Sequence, residues 1–68
     1  MMKMNKWRIQ FSLYNHDETF YIVDDCHGMY HTEDKSDATL FRSTQLSDAI
    51  YQMCATFKDI KNIEIISV

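Results

Sequence analysis

A chain of 68 residues with a formal net charge of −3 is long enough for one domain, residues 1–68, and buries only roughly 60% of the surface its unfolded form exposes, which excludes a deep substrate cleft. A hydrophobic content of 46% with nine aromatic residues is too rich for a disordered tail. Two cysteines, Cys26 and Cys54, do not make a secreted disulfide framework, and "MMKMNKW" has no apolar run behind its lysines, so the expected setting is a cytoplasm with both thiols reduced.

Taken in chain order, Trp7, Ile9, Phe11 and Leu13 alternate with Arg8, Gln10 and Ser12, the period of two of a strand with one buried face. The turn formers "NHDE", Asn15 to Glu18, lead into the strand-rich "TFYIV", Thr19 to Val23, which predicts an antiparallel hairpin. Phe20 and Ile22 are expected to face the core, and Tyr21 and Val23 to face outward. The stretch "VDDCHGMYH", Val23 to His31, holds the only glycine. Gly28 suits a tight reversal over Asp25 to Gly28, followed by a third strand at Met29 to Thr32. "EDKSDA" then forms a loop or a single helical turn before Leu40 and Phe41 re-enter the core.

Leu46, Ala49, Ile50, Met53, Cys54 and Phe57 recur at helical spacing and predict an amphipathic helix over 44–58, capped by Ser43 or Thr44. Cys54 in that stripe reads as an inert core thiol. After Lys61 and Asn62, "IEIISV" predicts a last strand with Ile63 and Ile65 in the core and Ile66 facing out. The order β-β-β-α-β is an α+β fold: a small three- to four-stranded, mostly antiparallel sheet with one helix packed on one face. The expected core is Trp7, Ile9, Phe11, Phe20, Ile22, Phe41, Leu46, Ile50, Met53, Phe57, Ile63 and Ile65.

A metal site at "VDDCHGMYH" would draw on His27, His31, Cys26, Asp24 or Asp25. In a strand, however, residues four apart lie about 13 Å from one another, and the reading preferred is a hairpin turn with surface acids and no metal. Nucleophilic catalysis by Cys26 is disfavoured by its two flanking aspartates. No phosphate loop, dinucleotide fingerprint, G-x-S-x-G or H-E-x-x-H occurs. Neither an enzymatic activity nor a cofactor is expected.

Charge distribution says more. Residues 1–16 carry Lys3, Lys6 and Arg8 and no acid, whereas residues 17–37 hold Asp17, Glu18, Asp24, Asp25, Glu33, Asp34 and Asp37 against Lys35, seven acids to one base and a net of minus six. Gathered together, these acids would attract a basic protein surface and repel nucleic acid; the alternative is a solvated face that aids solubility. Tyr30 and Tyr51 join the acids as candidate partner-binding residues, tyrosine being a frequent interface side chain. The basic residues are too scattered to track a phosphate backbone, and no segment is long and apolar enough for a membrane. Outward Tyr21, Val23 and Ile66 also raise a possible homodimer.

"YHTEDKSDATLFRSTQLSDAI" resembles a pattern found in small uncharacterised bacteriophage proteins, through Tyr30, Thr32, Asp34, Ala38, Phe41, Ser43, Asp48, Ala49 and Ile50. The similarity covers the middle third of the chain and consists of fold-supporting residues. It implies a phage-encoded inhibitor in the style of anti-CRISPR and other anti-defence proteins, acting in a bacterial host's cytoplasm and occupying a basic groove of a host nucleoprotein or nuclease. The alternatives are a structural or assembly module that homo-oligomerises and a small metal-binding regulator.

Overall fold

Alternating apolar and polar side chains from Trp7 onward do make the first strand, and it becomes the centre of the molecule. In the computed structural model, which describes residues 5–68, β1 (Trp7–Leu13) is flanked by β2 (Phe20–Asp25) and by the last strand, β4 (Ile60–Ser67), while β3 (Gly28–Thr32) forms the other edge. The sheet order is β3-β2-β1-β4 and every pairing is antiparallel. A single 3₁₀ turn, Lys35–Asp37, and the helix α1 (Ser43–Thr56) lie between β3 and β4. The α+β architecture expected from the sequence is present.

The helix covers one face of the sheet. Ile9, Phe11, Phe20, Ile22, Phe41, Ala49 and Met53 form the buried cluster between helix and sheet, and Leu13, Met29, Leu46, Ile50, Phe57 and Ile60 pack around them. Fully burying one such side chain stabilises the fold by about 1.5–3 kcal/mol, so this cluster supplies the main driving force.

β1 and β2 pair only at Gln10 with Tyr21 and Phe11 with Phe20. Beyond that they diverge, and Thr39 to Phe41 fills the gap. The Thr39 N–H donates to the Ile22 carbonyl at 3.0 Å, while Phe41 and Trp7 exchange backbone bonds of 2.8 and 2.7 Å. Phe41 thereby enters the core, but Leu40, expected inside with it, is exposed because its neighbours in this extended segment take the inward direction.

Val23 lies on the helix-free face as expected, beside its cross-strand partner Tyr30, and is buried there. Three further expectations are corrected. Cys54 is exposed, because α1 seats on the Ala49 and Met53 side of its apolar stripe. Ile63 and Ile65 are 37% and 43% exposed, since β4 is an edge strand that the helix does not cover. The helix begins at Ser43 with Arg42 as N-cap. Neither expected hydroxyl caps it; the Gln45 side chain reaches back to accept the Arg42 N–H at 2.8 Å. Trp7 is half-buried, at the rim of the core.

Candidate functional site

The β2–β3 hairpin builds a polar surface from short-range chemistry. Asp25 accepts the His27 N–H through Oδ1 at 2.8 Å, the local bond by which an aspartate favours a turn, and Gly28 follows at φ 117°, a backbone angle that a side chain would strain. The other Asp25 oxygen accepts the Tyr30 hydroxyl at 3.1 Å. That bond, with lesser contributions from desolvation and the negative charges of Asp25 and Asp37, raises the Tyr30 pKa above its ordinary value. Asp25 and Tyr30 thus belong to one surface, which the negative charge of Asp37 reaches. It lies at the hairpin end on the helix-free face.

Asp24 points to the opposite face. Asp24 lines an open cavity of about 220 Å³ with Phe41, Gln45, Asp48 and Gln52, where the start of α1 passes over the sheet. Its backbone is held by Thr39, whose Oγ1 accepts the Asp24 N–H at 2.8 Å.

Asp17 and Glu18 lie in the β1–β2 loop at the other end of β2, and Glu33 leaves β3 at that same end, after Thr32 has paired with Tyr21. The length of β2, six residues, separates the two groups by roughly 17 Å at the usual strand rise. Asp34 is engaged locally. It accepts the Ser36 hydroxyl at 2.7 Å and the Ser36 N–H at 3.0 Å, and these bonds hold its carboxyl below the usual aspartate range. Tyr51 projects from the solvent side of α1, 79% exposed, on the side of the sheet away from Tyr30. Six of the seven acids therefore form two groups at opposite ends of β2, Asp34 being engaged by Ser36, and the tyrosines lie on opposite sides.

The structure gives several residues roles that the sequence reading did not assign. His31 stands opposite Ile22 on the helix face, 4.7 Å from the Phe20 ring centroid and 5.3 Å from that of Phe57. His16 meets Phe20 from another side at 5.8 Å. His31 is thus an aromatic partner, while His27 lies in the turn. On the helix-free face the Arg8 guanidinium stacks over Tyr21 at 5.5 Å. The one signal available in advance was the even spacing that puts Arg8 on the polar face of β1.

No group of three or more His, Cys, Asp and Glu side chains is placed to hold a metal ion among the described residues. No helix among them is long and apolar enough to cross a membrane. No known protein family, curated protein or solved structure matches the chain.

Proposed function

We propose that the protein is a non-enzymatic binding module that docks a basic protein surface against the hairpin end of its sheet. The observation that carries this reading is the hydrogen bond that joins Tyr30 to Asp25, within reach of the charge of Asp37, which sets an aromatic body in a negative field on a face the helix leaves open. Such a surface offers buried area from the tyrosine and long-range attraction from the acids. Asp24 extends the charge around the edge. Asp17, Glu18 and Glu33 at the far end contribute steering rather than contact, and Tyr51 lies outside the docking surface.

A narrower form of the proposal is a phage-encoded inhibitor that fills a basic, nucleic-acid-binding groove of a bacterial host protein in the cytoplasm. Its support is the resemblance of residues 30–50 to small phage proteins, together with the sign of the charge.

The test is capture from bacterial lysate on the immobilised protein, with the partner identified by mass spectrometry and its affinity then measured. Binding should fall as salt rises and should be lost when Asp24, Asp25 and Asp37 are replaced by asparagine. Equal capture by that triple variant at high salt would overturn the reading.

A further inference from the structure

The sheet ends at β4, and no strand lies against its outer edge among the described residues. The directions of its backbone groups follow from two bonds: the Val68 N–H donates to the Lys6 carbonyl at 2.8 Å, and the Tyr14 N–H donates to the Asp59 carbonyl at 3.0 Å. Because alternate residues of an antiparallel strand turn their N–H and C=O groups toward the neighbour and away from it, Lys61, Glu64 and Ile66 address β1, and Ile60, Ile65 and Ser67 address the open edge.

Between these sets lies a bulge. Gln10 pairs with Glu64 and Ser12 with Lys61, so Asn62 and Ile63 together oppose Phe11, and Asn62 takes φ 55°, the left-handed conformation of the first residue in a G1-type bulge. The extra residue puts Lys61 and Glu64 on the same, helix-free face although they are three apart. It also makes the edge symmetric about the bulge, with Ile60 and Ile65 outward on either side and Lys61 and Glu64 inward on either side.

We propose that this edge pairs with the same edge of a second copy, antiparallel about a two-fold axis through the bulge, with Lys61 of each chain opposite Glu64 of the other. The charges select the register. One ladder step in either direction sets Glu64 against the second copy's Glu64, or Lys61 against its Lys61, and like charges directly opposite are destabilising. A lysine and a bulge ordinarily blunt a free edge against foreign strands; here the glutamate on the far side of the bulge makes the same edge acceptable to its own copy.

The apolar surface points the same way. Gln45 and Gln52 line the cavity on the Asp24 side of α1, so by helical rotation Ile50 and the exposed Cys54 lie on the opposite flank, turned toward β4 without covering it. With Ile65, which stands opposite Ile9 on the helix face, they give the edge an apolar trough. Two-fold pairing brings Ile60 and Ile65 of the two chains side by side and covers part of that trough.

Sedimentation equilibrium on the full chain at low salt tests the proposal. Wild type should dimerise; K61E and E64K should each weaken dimerisation about tenfold, as expected from converting two opposite-charge cross-strand pairs to like-charge pairs, and the K61E/E64K double variant should recover it. Amide exchange of the wild type supplies a reading that needs no variant, with the Ile60, Ile65 and Ser67 amides gaining protection as concentration rises. A wild type monomeric up to sub-millimolar concentration, single variants that dimerise as wild type does, a double variant that fails to recover, or unchanged protection at those three amides would each overturn it.

Discussion

Thr39 and Asp24, fifteen residues apart, are joined twice through one hydroxyl: Thr39 Oγ1 accepts the Asp24 N–H at 2.8 Å and donates to the Asp24 carbonyl at 3.4 Å. This bond takes the place of the β1 partner that β2 lacks beyond Tyr21. Thr39→Val keeps the shape and removes both bonds, and should cost about 1 kcal/mol in urea denaturation, the usual net value of a hydrogen bond. Thr39→Ser should cost markedly less. Equal losses in the two variants would show that the methyl group matters as much as the hydroxyl and would contradict this assignment.

His31 should behave as a structural aromatic. Its ring lies 4.7 Å from Phe20, 5.3 Å from Phe57 and 6.0 Å from Phe11, and aromatic pairs contribute about 0.5–1.5 kcal/mol beyond the area they bury. His31→Ala is expected to destabilise by about 1–2 kcal/mol on that scale, and His31→Phe to restore most of the loss. Loss of stability in both variants would mean that a ring nitrogen is required.

What could be read from the sequence divides by range. β1 was legible because a strand with one buried face writes its period into seven successive residues. The helix was legible for the same reason, but its six-residue stripe is wider than the sheet can cover, and nothing local says that Met53 goes under while Cys54 stays out. Ile63 and Ile65 carry the pattern of a half-buried strand; edge position, which exposes them, belongs to the whole sheet. Phe41 was expected inside, yet the divergence of β1 from β2 that admits it could not be read from residues 39–41. For the candidate site, the acids were visible as a block in sequence, and β2 then carries the block's two halves to opposite ends.

Stability should respond to pH at two extremes. The bonds from Ser36 lower the Asp34 pKa from the ordinary 3.8, so its contribution is complete above that value and is lost as pH falls through the lower folded value. The hydrogen bond to Asp25 raises the Tyr30 pKa from 10.0, so its contribution is complete below pH 10.0 and is lost as pH rises through the higher folded value. Thermal melting across pH checks both. Asp34→Asn should flatten the acid limb alone, and Tyr30→Phe the alkaline limb alone; a variant that altered the opposite limb would contradict the assignment.

The rotation of α1 about its axis can be tested at two adjacent residues. Met53 is fully buried, at 0% exposure, among the apolar residues of the sheet, whereas Cys54 is exposed one position later. Truncating a buried methionine leaves a cavity, so Met53→Ala should cost about 2–5 kcal/mol. Cys54→Ala should lie within about 0.5 kcal/mol of wild type, as surface substitutions do. In Cys26→Ala protein, Cys54 should react with a thiol reagent under native conditions without waiting for unfolding. The reverse pattern, with a tolerated Met53→Ala and a Cys54 thiol that reacts only in denaturant, would mean that α1 is turned so that the flank facing β4 is the buried one. Because the apolar trough beside β4 depends on Ile50 and Cys54 lying on that open flank, the same labelling also bears on the proposed pairing of two copies. There the thiol should react more slowly as protein concentration rises, since the second copy closes over the trough without unfolding either chain.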